Sequence, residues 1–456
     1  MTLHAHLSAA FPASQLAFDE ETLRTYGHDH ASPGEVPLAG ALVFAESTSD
    51  VSMALRIASE LNIPVVTQGA RTGLTRGANA VEGALLLNLE RMTDIIEISP
   101  INQTARVQAG VVLNDISVAA QEHGLFFPPD PGSVYQATIG GALATNAGGM
   151  RCVKYGTTGS FARALTVVLA SGEVLHLGRD TVKNVAGYDL KSLFIGSEGT
   201  LGVITEATVS LLPLPGEART LLATFASVSA ALQAANAVML LPNRPSAVEL
   251  LDAPSAKAIA EYQQDSLIPA DAGAVLIVES DNHGTAVHDI ETYQEAIAAA
   301  EPTGITLGTT AADSRQIMDA RRDWHYAMYS LFADIDSEDV SVPRSQLGAM
   351  LSAIDEAREV TGAPVVVGGH AGDGNLHPLI GYDQNNAESV AKAEAARTLI
   401  MEAAVRLGGT ITGEHGVGEL KRFAVETDLG ARTTELQRHI KQVFDPQGLL
   451  NPGKKL

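Results

Sequence analysis

The sequence predicts an α+β chain of more than one domain, and three observations carry that reading. A strand–helix–strand unit near the N-terminus empties into a glycine-rich stretch. Further glycine clusters then alternate with short strand-like runs as far as Pro213-Leu214-Pro215, the clearest linker in the chain. Beyond it, strand-like and helix-like segments alternate again. A length of 456 residues allows about two to three domains.

The first unit has an apolar strand over 41–44, capping chemistry at Ser47 to Asp50, and a helix with Met53, Ile57 and Leu61 on one face. A second strand over 63–66 completes it. Short strands are expected at 84–87, 94–98 and 105–107, a helix at 113–123, then strands at 165–170, 174–177 and 202–211. After the linker, strands are expected at 219–225, 274–279 and 363–368, with helices at 227–241, 313–333 and 343–360. The tail, 433–444, places Leu436, Ile440, Val443 and Phe444 on one helical face.

Charge excludes some partners at once. Lys and Arg number 30 against 53 Asp and Glu, a net charge of −23, so a nucleic-acid polyanion is repelled. An anionic membrane surface is disfavoured for the same reason. The single cysteine, Cys152, rules out a disulfide within the chain and a cysteine-ligated iron–sulfur cluster. No stretch approaches the roughly 18 to 20 apolar residues of a membrane span, and residues 1–11 lack the pattern of a signal peptide. The expected home is the cytoplasm, with any membrane association peripheral.

Glycine is where the chemistry concentrates. A cradle for phosphate needs backbone N–H groups that converge without side chains in the way, best placed where a strand ends. Gly69-Ala70-Arg71-Thr72-Gly73-Leu74-Thr75-Arg76-Gly77-Ala78 meets that description, although an ordinary glycine-rich turn would read the same. Thr138-Ile139-Gly140-Gly141-Ala142-Leu143-Ala144-Thr145-Asn146-Ala147-Gly148-Gly149 is too glycine-rich for a comfortable helix at about 1 kcal/mol per glycine. Close approach to a large ligand explains it better. Gly196-Ser197-Glu198-Gly199-Thr200-Leu201-Gly202-Val203-Ile204 opens into a strand. None is a dinucleotide fingerprint, and Gly372-Asp373-Gly374-Asn375-Leu376-His377 carries His at the third glycine position, so a nicotinamide cofactor is unsupported.

That last segment reads instead as a hairpin. With Asp373-Gly374 at the centre of a two-residue turn, His370 and His377 would face each other with Cβ atoms about 4.5 to 5.5 Å apart. A metal could bridge them, and Gly413-Glu414-His415-Gly416 offers a carboxylate as third ligand, leaving positions open for substrate.

Three glycine clusters in this order, with Pro128-Pro129-Asp130-Pro131-Gly132-Ser133 and Lys183-Asn184-Val185-Ala186-Gly187-Tyr188-Asp189 between them, resemble the vanillyl-alcohol-oxidase (PCMH-type) family of FAD-dependent oxidoreductases. Within it the chain is similar to the branch of D-lactate dehydrogenase, the glycolate oxidase flavin subunit and D-2-hydroxyglutarate dehydrogenase, from about residue 36 to Lys454. The resemblance implies a two-part FAD-binding domain over 1–215 (the family part being 36–215). It implies a substrate or cap domain over 216–410, built on an antiparallel sheet covered by helices, and a segment 411–456 that returns to the FAD domain.

Carried over residue by residue, it puts the FAD pyrophosphate on Gly69, Ala70, Arg71, Thr72, Gly73 and Leu74. The flavin and ribityl groups run along Pro129, Asp130, Gly132, Ser133, Thr138, Gly140, Gly141, Thr145, Asn146, Gly148 and Gly149. Glu198, Gly199, Gly202, Val203 and Ile204 take the adenosine side, and Asn451 closes over the flavin. The family usually has more glycines where this chain has Ala70 and Arg71. No His or Cys lies between Pro64 and Ala80, so the implied FAD is non-covalent.

The same resemblance makes His370, His377 and Glu414 metal ligands, zinc first with ferrous iron or manganese behind, and His415 the catalytic base. Arg321 matches the arginine that anchors the substrate carboxylate, with Arg344 a second candidate. The expected mechanism is metal-assisted alkoxide formation, proton transfer to His415 and hydride transfer to flavin N5. Members acting on D-2-hydroxyglutarate usually have a lysine where Ser337 falls and an asparagine where Leu379 falls, so a small monocarboxylate, D-lactate or glycolate, is favoured. D-2-hydroxyglutarate is the alternative. Reoxidation needs an external acceptor: oxygen, a quinone, a cytochrome, an electron-transfer flavoprotein or an iron–sulfur subunit. A homodimer is compatible with the family. From other classes, a flavin-free metal hydrolase would use the same histidines, and a non-redox ether-lipid transferase or a silent flavin subunit would keep the fold.

Overall fold

Three short apolar strands, Ala41–Phe44, Leu85–Asn88 and Val65–Gln68, run parallel, with Leu85–Asn88 in the middle and Leu16–Ala17 added antiparallel at the edge. All four residues of the central strand are buried, as expected of a parallel strand covered on both faces. In this computed structural model, which describes residues 2–31, 36–263 and 266–456, the sheet belongs to the first of two units: Met1–Gly148, Thr157–Leu214 and Glu414–Leu456. The second unit is Gly149–Gly156 with Pro215–Gly413.

The helix Thr48–Leu61 is capped by the Ser47 hydroxyl and ends at left-handed Asn62. Of the three residues expected on its buried face, Ile57 is buried and Leu61 packs on the core, but Met53 is not. Met53 is exposed, and Val51, Ala54, Leu55 and Ala58 point inward, because the alanines let the helix sit close on the sheet. The strand that follows is Val65–Gln68, two residues later than the sequence suggests. The rest of the first unit is an antiparallel five-stranded sheet, ordered Ile95–Ser99, Thr104–Gln108, Val203–Ser210, Ala162–Val168, Val174–Gly178. The tail helix forms at Ala431–Phe444, but Leu436 and Val443 are exposed, and Phe444 alone makes a ring contact, edge-on to Phe194.

The glycine cluster at 138–149 departs from its reading as a purely ligand-facing loop. It contains a short helix, Ile139–Thr145, capped by the Thr138 hydroxyl and ended by left-handed Asn146. Gly140 is required by packing, since a Cβ there would lie 2.7 Å from the Ala109 Cβ and 3.0 Å from its carbonyl oxygen.

The second unit is built on an antiparallel eight-stranded sheet. Its order is Gly304–Gly308, Arg219–Phe225, Ala274–Ser280, Ala247–Asp252, Val365–His370, Asn375–Tyr382 and Asp334–Ser337, with Val340–Ser341 also pairing Asn375–Tyr382. Both faces are covered. Val248, Leu250, Val365, Val367, Leu376 and Ile380 pack into one apolar cluster, and Ala247, Leu251, Val366, Leu379 and Trp324 into the other. The helix expected over 313–333 is two, Ala311–Arg322 and Trp324–Tyr329, meeting at Asp323. The segment Gly149–Gly156 is fastened to this unit by Arg151 on Glu279 and by Lys154 and Tyr155 on Asp281.

Gly140→Ala should destabilise the protein by about 1 to 3 kcal/mol through overpacking, despite a better helix propensity. A urea midpoint equal to or above that of the wild type would show that the helix is not pinned against Ala109.

Candidate active site

Period-two alternation puts a set of polar side chains on one face of the second unit's sheet. Glu249 pairs directly with His370 in register, and His377 lies opposite Gly368 on the next strand. His370 Nδ1 lies 2.7 Å from one Glu249 carboxylate oxygen, and Arg321 Nε donates to the other at 2.8 Å. Glu249 is fully buried. Burial alone would raise its carboxyl, yet the charges of His370 and Arg321 and the hydrogen bond from His370 hold it below the ordinary carboxylate range. A carboxylate on Nδ1 fixes the imidazole so that Nε2 faces away, the arrangement that orients a ligating histidine.

The hairpin differs from the expected two-residue turn. His370 pairs with Asn375, so the turn is Ala371 to Gly374, and Asp373 N and Gly374 N both donate to His370 O. Gly374 takes φ +92°, and a Cβ there would collide with the Val342 carbonyl, which favours this longer turn. The two histidines are therefore diagonal rather than opposed. They still meet, ring centroids 5.0 Å apart and nearly perpendicular. His377 Nδ1 lies 3.8 Å from Asp339, whose carboxylate accepts from Asn375 Nδ2 at 2.6 Å and Thr412 Oγ1 at 2.7 Å.

Arg321 is buried beside Glu249, with its guanidinium 4.9 Å from the centre of the Trp324 ring. Its terminal nitrogens have no hydrogen-bond acceptor among the described residues. Arg344 is exposed, its backbone N next to the Gly374 turn. Ser337 and Leu379 are direct cross-strand partners, Leu379 deep in the apolar cluster. Gly413, the last residue of this unit, is packed so tightly on Asn375 that a Cβ would lie 2.5 Å from its amide nitrogen. Glu414 and His415 are the next two residues and open the final segment of the first unit. Glu249, Asp339 and Trp324 were not singled out from sequence. A carboxylate in the middle of the apolar run Ala247-Val248-Glu249-Leu250-Leu251 was the available signal for the first. Asp339 is lost among acidic neighbours.

In the first unit, the glycine segments come together. Gly69 sits where a Cβ would run into the Thr138 hydroxyl, and Gly196 N and Glu198 N donate to Leu143 O and Ala144 O at the end of the helix Ile139–Thr145. The backbone N–H groups of Ala70, Arg71, Thr72, Gly73 and Leu74 have no acceptor among the described residues, and Arg71 is left-handed at φ +55°. Such a run of free N–H groups at a strand end is an anion nest, so the residues present fit a cofactor pyrophosphate. The Arg71 side chain is otherwise engaged, with Glu90 at 3.5 Å and the Tyr26 ring at 4.0 Å. Glu198 and Asn451 are also committed within the protein. The Glu198 carboxylate accepts from Val417 N, Gly418 N and Lys455 Nζ, and Asn451 bridges Thr67 N to Glu198 O. Pro129 is buried, Asp130 and Ser133 are half-buried and Gly132 is exposed; Thr145 Oγ1 donates to Gly141 O, and Asn146 Oδ1 accepts from Gly159 N.

Asp29 braces the nest from behind, its carboxylate accepting from Ala31 N and Ala78 N, 3.4 Å from where a Gly73 Cβ would stand. Burial pushes its carboxyl up to about 6, against those two hydrogen bonds and the charges of Lys454 and Arg76.

Two families match the chain: one described as "FAD binding domain" over residues 39–178, the other as "FAD linked oxidases, C-terminal domain" over residues 214–455. The chain is 39% identical over 430 residues to the glycolate oxidase subunit GlcD of Bacillus subtilis, covering 94% of this chain and 91% of that one. It is 33% identical over 443 residues to a D-lactate dehydrogenase of Anaerostipes hadrus, covering 95% and 93%. Among solved structures, p-cresol methylhydroxylase with substrate bound superposes with a TM-score of 0.81 at 18% identity, over 99% of this chain and 96% of that one, which is a likeness of fold.

Glu249→Gln should cost about 3 to 5 kcal/mol, because it leaves the buried Arg321 cation and the His370 imidazole sharing one neutral amide. A loss under about 1 kcal/mol by urea unfolding would contradict the shared-carboxylate arrangement. For Asp29, a folded value near 6 against about 3.9 unfolded means that the ionised form is the destabilised one. The penalty is nearly full at pH 7 and mostly gone by pH 4, so this group adds about 2 kcal/mol of stability as pH falls from 7 to 4. Asp29→Asn should be more stable than wild type at pH 7 and lose that advantage at pH 4; equal differences at both pH values would refute the assignment.

Proposed function

The chain belongs to the FAD-linked oxidases and is an FAD-dependent hydroxy-acid dehydrogenase, and on that premise we propose that its substrate is a small D-2-hydroxy acid, D-lactate or glycolate, oxidised to the 2-oxo acid. The observation that carries the choice is the sheet face beyond His377. Its next positions are Leu379 and Gly381, with Ser337 and Val366 across from Leu379, and Leu379 is buried in an apolar cluster. A second carboxylate, as in D-2-hydroxyglutarate, would have no cation among these residues to offset its desolvation.

Each residue then has a task. Arg321, fixed through Nε by Glu249, offers its terminal nitrogens to the substrate carboxylate as a fork. Glu249 holds His370 in one orientation, and Asp339 stands beside His377. The donor set of two imidazoles and the Glu414 carboxylate fits a divalent cation of zinc type, which when bound supplies Lewis-acid polarisation of the substrate hydroxyl. His415, which must be neutral to act as a base, takes the hydroxyl proton. FAD, held without a covalent bond on the nest at Ala70 to Leu74, supplies the acceptor for the hydrogen at C2. The five free N–H groups of that nest count against a flavin-free hydrolase, which has no use for them. Electrons leave to an external acceptor of quinone, cytochrome, flavoprotein or iron–sulfur type. No described helix is long and apolar enough to cross a membrane.

In anaerobic mixing, D-lactate or glycolate should bleach the flavin of the wild-type protein. His415→Ala should stay yellow with FAD bound and bleach at least about a hundredfold more slowly. Unbleached wild type with both acids, or a variant as fast as wild type, would overturn the proposal.

A further inference from the structure

Trp324 is the only tryptophan in the chain. It is 3% exposed, and its indole Nε1 is buried without a hydrogen-bond partner among the described residues. A buried N–H left unpaired costs about as much as a lost hydrogen bond, so such groups are rare and call for an occupant. Its surroundings say which kind. The edge of the indole that carries Nε1 also carries Cζ2. That atom, with Cη2, lies 2.9 Å from where a Cβ on Gly368 would stand. Gly368 is the register partner of His377 and lies two residues before His370 on the same face. Any side chain at 368 would displace the ring, so the glycine brings the indole edge to the histidine pair. Over the ring, 4.9 Å from its centre, lies the Arg321 guanidinium, its terminal nitrogens without an acceptor among the described residues. One neutral N–H and one cationic fork, both unfilled and on neighbouring side chains, form a donor set without an acceptor.

We propose that the Trp324 indole N–H is a substrate-binding donor that, together with Arg321, receives the carboxylate of the 2-hydroxy acid. This rests on the proposed hydroxy-acid substrate. Arg321 supplies charge through a fork; the indole fixes the rotation of the carboxylate about its bond to C2 and so presents one face of that carbon. Because the ring is buried with its edge against Gly368 and Arg321 over it, little side-chain freedom is lost when the acid binds.

The test uses the FAD-loaded full chain. Trp324→Phe keeps an aromatic side chain but removes the donor together with the Cζ2 and Cη2 edge that faces Gly368, so it is read beside the resonance of the intact indole. It should raise the dissociation constant of D-lactate, from the concentration dependence of anaerobic flavin bleaching, by about tenfold or more. The limiting bleaching rate should change less, and the FAD content should be unchanged. Oxamate, an unreactive anion with the same carboxylate, should weaken equally. In wild-type protein carrying 15N-tryptophan, the single indole N–H resonance should move downfield as oxamate is added, and this readout stands even if the variant fails to fold. An unmoved resonance at saturating oxamate, or a variant with wild-type dissociation constants, would overturn the assignment. The two proposals fail differently: wild-type flavin that no 2-hydroxy acid bleaches removes both, whereas a bleached wild type with an unaffected variant removes only the indole.

Discussion

One buried carboxylate organises the candidate site. Glu249 stands in a strand whose six residues are all buried, and its two oxygens are divided between His370 and Arg321. Without it, a cation and an imidazole would be left in a low-dielectric interior with nothing to offset them. With it, both are fixed in orientation, His370 through Nδ1 and Arg321 through Nε. The same carboxylate thus solves a folding problem and a positioning problem. The alternation of the sheet does the rest, because Glu249, His370, His377 and Leu379 must share a face once the register is set.

The first unit achieves a comparable result with backbone alone. Its glycines divide into two kinds. Gly69 and Gly140 lack side chains so that a strand end and a helix can approach their neighbours. The segment from Ala70 to Leu74 instead leaves N–H groups unspent, which suits an anion in a chain whose net charge is −23. Arg71, within that segment, is paired with Glu90, so what the segment offers an anion is its backbone dipoles. Glu198, Asn451 and Lys455 hold the C-terminal segment against the third cluster.

Much of this was legible in the sequence, and the misses have physical causes. The strand–helix–strand opening, the antiparallel strands around Val203–Ser210 and the histidine hairpin all follow from periodicity and turn chemistry. The strands Ala247–Asp252, Gly304–Gly308 and Asp334–Ser337 were missed, for different reasons. The first is interrupted by Glu249, which breaks an apolar pattern for the sake of the site. The third is acidic, its charges taken up partly by Arg397 on Asp336. The hairpin register was off by two residues because Asp-Gly favours a two-residue turn locally. Long-range contact of Gly374 with Val342 instead selects a four-residue one. The helix face at Met53 was misread because hydrophobicity alone does not register how closely alanine lets a helix pack.

On the proposed reading, these features serve one small anionic alcohol, with a single carboxylate to satisfy and an apolar wall beyond it. The most direct measurement is the second-order rate constant for anaerobic flavin reduction by D-lactate, L-lactate and D-2-hydroxyglutarate, compared on the same FAD-loaded protein. D-lactate should exceed both of the others by at least about tenfold, the size of one unmet charged contact. Equal or faster reduction by D-2-hydroxyglutarate, or reduction by L-lactate alone, would contradict the account.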